Sequence, residues 1–163
     1  MIKVCCCTGH RPQKFPFEYG KDSEEFNAYL QTLHDKIDYA VSLGATHFIS
    51  GMALGVDLDF AEYVLKLKKT CNVTLECAVP CPGHNSSWSL KDIFRCKEII
   101  RQADEVNVLS ERYDGGCMFK RNRYMVDKSQ MVIAVFNGEE KGGTWYTIKY
   151  AKNKNVQTEI IDL

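Results

Sequence analysis

The chain has 163 residues, 45% of them apolar and 26% charged, with 21 Lys and Arg balancing 21 Asp and Glu. That composition fits one globular domain over residues 1–163 and excludes a disordered chain. It also leaves no long-range field to draw the molecule to a polyanion, so nucleic acid is an unexpected partner.

No run approaches the length that crosses a bilayer, and the first residues lack a signal-peptide pattern, so no membrane association and a cytoplasmic location are expected. The eight cysteines sit inside apolar strands or are scattered, without a C-x-x-C pair, which suits reduced thiols. Cys77, Cys81 and His84 offer only three donors on a proline-rich loop, too few for a closed zinc site, and no metal is expected.

Along the chain, apolar β-rich runs alternate with helical patterns. Residues 2–7 form a continuous apolar run, the mark of a strand covered on both faces. Pro12 and Pro16 then enforce a loop. Asp22-Ser23-Glu24-Glu25 opens a helix whose apolar stripe (Phe26, Leu30, Leu33, Ile37, Ala40, Val41) ends at Gly44. Residues 46–49 read as a strand, 56–69 as a helix and 73–79 as a strand. The loop from Pro80 to Asn85 cannot be helical in its first half. A helix over 88–103, a strand over 105–109, a polar Gly-Gly loop over 110–116 and a helix over 118–128 follow. The chain closes with a strand over 131–136, a helix over 144–153 and a strand over 156–161. Strands separated by helices imply right-handed crossovers and a Rossmann-like three-layer α/β/α sandwich with a mostly parallel sheet.

Three strand-to-helix turns carry glycine, and in such a sheet they gather at the carboxyl edge, where free N–H groups and helix N-termini favour an anion. In Thr8-Gly9-His10-Arg11, Gly9 permits close backbone approach, Arg11 offers a forked donor for phosphate and His10 can exchange a proton near neutral pH. The bland alternative is a glycine turn with Arg11 paired at the surface. In Ser50-Gly51-Met52-Ala53-Leu54-Gly55-Val56-Asp57, two glycines allow a tight turn, and Asp57 either receives a ribose hydroxyl or simply favours the helix dipole. Gly142-Gly143-Thr144 presents free N–H groups and a capping or contacting hydroxyl, or else a plain flexible turn. On the fourth helix, Arg121, Asn122 and Arg123 can reach a phosphate with Asp127 orienting one of them, or form a solvated face. His84 and Trp88 follow the third strand, with Trp88 more often core than a stacking platform. Neither the dinucleotide fingerprint nor a phosphate loop occurs, which disfavours nicotinamide and P-loop chemistry.

Taken together, Thr-Gly-His-Arg-Pro, Ser-Gly-Met-Ala-Leu-Gly-Val-Asp, Arg-Asn-Arg-Tyr-Met-Val-Asp and Gly-Gly-Thr before a Tyr-Ala helix resemble the YpsA-like family of the SLOG superfamily, from Cys7 to Ala151. The resemblance implies a bacterial or prophage protein with a pocket for a nucleotide or nucleotide derivative, acting as a sensor or regulatory module. The second motif is also similar to the corresponding stretch of DprA, which implies single-stranded DNA binding as an alternative. A further alternative is N-glycosidic hydrolysis of a nucleoside monophosphate, as in the LOG branch, with Asp57, Asp127 or Glu62 as the working carboxylate. The LOG pattern carries a glutamate three residues after its threonine, where this chain has Thr147. No cofactor beyond a nucleotide-derived ligand is implied, and a homo-oligomer is compatible with the sequence.

Overall fold

The computed structural model describes all 163 residues. Six strands form one sheet: β1 (Val4–Gly9), β2 (His47–Ser50), β3 (Thr74–Val79), β4 (Glu105–Val108), β5 (Met131–Phe136) and β6 (Gln157–Asp162). They lie in the order β4-β3-β2-β1-β5-β6, every neighbouring pair parallel. The helices are α1 (Glu24–Ser42), α2 (Val56–Leu67), α3 (Leu90–Gln102), α4 (Cys117–Lys128) and α5 (Gly142–Asn153). The expected Rossmann-like three-layer architecture is what the chain adopts, and its sheet is wholly parallel.

Alternation along each strand sends side chains to two separate cores. Cys5 and Cys7 of β1, with Phe48, Leu75, Cys77 and Ile133, meet Leu33 and Ile37 of α1, Phe60 and Val64 of α2, and Ile99 of α3. Cys6, Ile49, Ala78 and Val132 face the other way, against Met125 and Val126 of α4 and Ala151 of α5. Each fully buried aliphatic or aromatic side chain contributes about 1.5–3 kcal/mol. Helix starts follow side-chain chemistry where a cap exists: Ser23 accepts from the N–H of Phe26, and Ser89 from that of Asp92.

A carboxylate lies wholly inside the second layer. Glu76 of β3 is completely buried beneath α4. Its carboxylate accepts from Tyr124 Oη at 2.5 Å and Asn107 Nδ2 at 3.0 Å, with His47 Nε2 at 2.8 Å and Lys128 Nζ 3.7 Å away. Burial pushes its pKa up, but these donors outweigh burial and hold it at about 2.

Element ends differ from the sequence reading by one or two residues, later at β1 and α3 and earlier at α4 and α5. β1 covers residues 4–9 rather than 2–7, so Thr8 and Gly9 belong to the strand, hydrogen-bonded in register with Ala134 and Val135, and the turn begins only at His10. Apolarity marks where a strand is buried, whereas the ladder continues through the polar residues at its carboxyl end. α3 starts at Leu90 behind its Ser89 cap, which leaves Trp88 in the preceding loop. Pro12–Lys14 winds a short 3-10 turn inside the expected loop.

Candidate functional site

β1 is followed by three strands laid down on one side of it, while β5 and β6 lie on the other, so the winding direction reverses between β1 and β5. At that reversal the connections leaving the carboxyl ends diverge and open a crevice. A cavity of about 530 Å³ lies there, lined by residues 7–11, 13 and 14 after β1, Ala53 and Asp57 at the start of α2, Met118, Phe119, Arg121, Asn122 and Met125 of α4, and residues 139 and 141–144 after β5. Its volume suits a small-molecule ligand.

Ten of the residues expected from sequence therefore meet: Thr8, Gly9, His10, Arg11, Asp57, Arg121, Asn122, Gly142, Gly143 and Thr144. Five expected binding residues do not reach the cavity. Ser50, completely buried, accepts from the N–H of Met52 at 3.2 Å and donates to Asp57 O at 2.7 Å, so it shapes the turn. Gly51 leaves room for its neighbours, since a Cβ there would come within 2.8 Å of Asp57 Oδ2 and 2.9 Å of Arg121 Nε. Met52 is completely buried at φ 57°, an unusual conformation for a bulky residue, and Gly55 at φ 100° precedes α2. Arg123 points out of the cavity to donate to Tyr146 Oη at 3.1 Å.

The carboxylates separate in the same way. Asp127 is exposed, accepts from Tyr150 Oη at 2.9 Å and lies 3.6 Å from Lys154 Nζ, outside the cavity. Glu62 pairs with Arg95 and lines a different hollow between α1, α2 and α3. Asp57 does line the cavity, but its Oδ2 accepts from the N–H of Ala53 at 3.1 Å and its Oδ1 lies 3.6 Å from Cys7 Sγ, which ties it to the turn. The Cys7 thiol, pushed well up by burial and then by Asp57, stays protonated and is no nucleophile.

Other roles shift with the geometry. Gly9 was expected to admit a ligand, yet a Cβ on it would fall 2.4 Å from Val56 Cγ2, so the missing side chain serves packing against α2. Of the two roles read for Thr144, cap or hydroxyl contact, the cap does not occur: α5 begins two residues earlier, with Lys141 at the cap position and no side-chain cap, while Thr144 lines the cavity. His84 does not reach the cavity; its Nε2 lies 2.9 Å from Met52 O, and its ring meets Trp88 edge-on. Trp88 packs half-buried on the larger core. Sequence reasoning passed over Gln13, Lys14, Met118, Phe119, Glu139 and Lys141, which also line the cavity. Lys14 and Lys141 belong to no glycine motif, and only their sequence proximity to the first and third turns pointed to them.

Electrostatics single out Arg121. It is 5% exposed, donates to Gly51 O and, at 2.9 Å, to Asn122 Oδ1, and has no carboxylate within 4.0 Å. Burial weakens its charged form, with Asp57 opposing. A guanidinium in that setting is a costly arrangement without an anion. Arg11 and Lys14 likewise pair with no carboxylate within 4.0 Å, whereas Lys141 is shared with Glu139 at 3.2 Å. The uncapped first turn of α5 adds its own positive end to the same wall.

Comparison with known proteins agrees with this architecture. A UPF0398 protein of Bacillus cereus is 28% identical over 159 residues, covering 94% of this chain and 84% of the relative. UPF0398 proteins of Halalkalibacterium halodurans and Staphylococcus epidermidis are each 24% identical, covering 96% and 99% of this chain and 84% and 89% of theirs. Among solved structures, DNA processing protein A of Helicobacter pylori, described for its single-stranded DNA binding mode, superposes with a TM-score of 0.61 at 17% identity. That match covers 97% of this chain and 64% of the other, and it shows a shared fold. The family model described as the YspA SLOG family matches residues 5–162, and the chain belongs to that family.

Proposed function

We propose that the chain binds a nucleotide or nucleotide-derived ligand in the cavity between β1 and β5, as a sensing or regulatory module. The observation that carries this reading is Arg121, a buried guanidinium on the cavity wall with no carboxylate in contact. Phosphate oxygens would supply its missing counter-charge, with Arg11, Lys14 and the first turn of α5 around them. Phe119, 38% exposed, and Met118 give an apolar surface on which a base can lie.

Thermal-shift measurements with AMP, ADP-ribose, a dinucleotide and a short oligodeoxynucleotide test it. A melting temperature raised by one of the first three, and not in Arg121→Gln, is the expected result. A flat response to the whole panel rejects it.

Two other readings are less well supported. Glycosidic hydrolysis would need a carboxylate free to act, and Asp57, the expected acid that lines the cavity, is held by Ala53 and Cys7. Single-stranded DNA, in the manner of the Helicobacter pylori protein, would use the same aromatic surface, but a chain of zero formal net charge lacks the field that tracks a phosphate backbone. Retardation by the oligodeoxynucleotide that collapses with added salt would favour it over a mononucleotide.

A further inference from the structure

His10 lines the cavity, is 9% exposed, and its Nε2 is the one buried side-chain nitrogen or oxygen in the chain without a hydrogen-bond partner. An unmet polar atom of this kind is costly, and at a binding wall it marks a position that a ligand completes. The ring is held flat against Phe136, centroids 5.9 Å apart at 23°, and Phe136 in turn stacks on Trp145 of α5 at 5.7 Å and 12°. The imidazole is therefore fixed in orientation by a three-ring stack that runs from the end of β1 to the first turn of α5. That turn, Gly142 to Thr144, forms part of the same wall.

We propose that His10 is a direct ligand contact, donating an imidazole N–H to an anionic oxygen seated at the start of α5, and that one proton is taken up from solvent when such a ligand binds. This rests on the anionic-ligand reading above and adds to it the residue that senses the charge. In the free protein burial keeps the ring below the usual imidazole pKa, Lys14 acts in the same direction, and Asn137 and Glu139 oppose. The other charged groups lining the cavity are Arg11, Arg121, Lys141 and Asp57. An anion against the ring reverses the balance and favours imidazolium. The sign follows: between the free and bound pKa values binding takes up a proton, so affinity falls as pH rises through the bound value and levels off below the free one.

The test is a titration of protein carrying ¹³C-labelled histidine, read from the four histidine ring signals with and without saturating sulfate or ADP-ribose, neither of which changes charge near neutral pH. The expected result is a rise of about one unit in the His10 pKa, larger than any change at His84, which feels Arg121 and Arg11, and with His34 and His47 unmoved. His10→Asn is expected to lose more affinity at pH 5 than at pH 8.5, the loss rising towards about tenfold as pH falls below the free His10 pKa. If a probe still raises the melting temperature while the His10 signal titrates as before, this inference falls and the anion-binding reading stands. If neither probe changes melting temperature or signals, both fall together.

Discussion

Gly9 and Gly143 both border the cavity, yet an added methyl group meets a different fate at each. At Gly9 it would collide with the Val56 side chain, so Gly9→Ala is expected to destabilise the fold by about 1–3 kcal/mol whether or not ligand is present, read as a lower melting temperature. At Gly143 the nearest atom is Asn122 Nδ2 at 3.8 Å, ordinary contact, so Gly143→Ala should fold as well as the parent and lose ligand-induced stabilisation. Equal behaviour of the two variants would contradict these roles. Glu76 makes a separate prediction. Its pKa is depressed, so the stability it contributes is present above its unfolded value near 4.5 and disappears as pH falls towards about 2. Glu76→Gln should cost roughly 1–3 kcal/mol at pH 7 and flatten the loss of stability through that acid range, as followed by circular dichroism. Residue chemistry at the three turns was legible in the sequence, but its assignment to packing or binding was not, because Val56 and Asn122 approach these glycines only in three dimensions.

On α4, neighbouring arginines part company. Arg121 and Asn122 stand four residues before Met125 and Val126, and all four are buried; Arg123 and Asp127 lie on the adjoining, more exposed face with Tyr146, Tyr150 and Lys154. The helical period contained this division, since i and i+4 share a face and the apolar pair at 125 and 126 marks the inward one. Arg121→Gln is expected to abolish ligand-induced stabilisation, whereas Arg123→Ala, which removes a contact to Tyr146 alone, should leave it within twofold of the parent by isothermal titration. The start of α5 was harder to place. Gly142 sits at φ 82°, and the sequence starts the helix at Thr144, a threonine able to cap or to contact a ligand; the helix instead starts at Gly142, beside Lys141, without a side-chain cap.

For the molecule as a whole, alternating strands and helices announced a parallel α/β sheet, but nothing in the residues of β5 states that it lies beside β1. That pairing joins positions more than 120 residues apart, Cys5 with Met131 through Gly9 with Val135, and it creates the crevice. Amide hydrogen exchange should follow the order of strands: slowest in β1, β2 and β5, faster in β4, an edge strand whose Val106 and Val108 are 44% and 52% exposed. Early exchange in β5 would show that the central pairing is not the stable heart of the sheet.

The central place of β1 also has a consequence during synthesis. Its second edge is covered only once residues 131–135 have left the ribosome, after three other strands and four helices are already made. Until then Cys5-Cys6-Cys7 and an open row of backbone donors and acceptors stand ready to pair with any passing strand. A nascent chain halted before β5 is thus the form most exposed to aggregation and to thiol oxidation, and completing translation is what closes both routes.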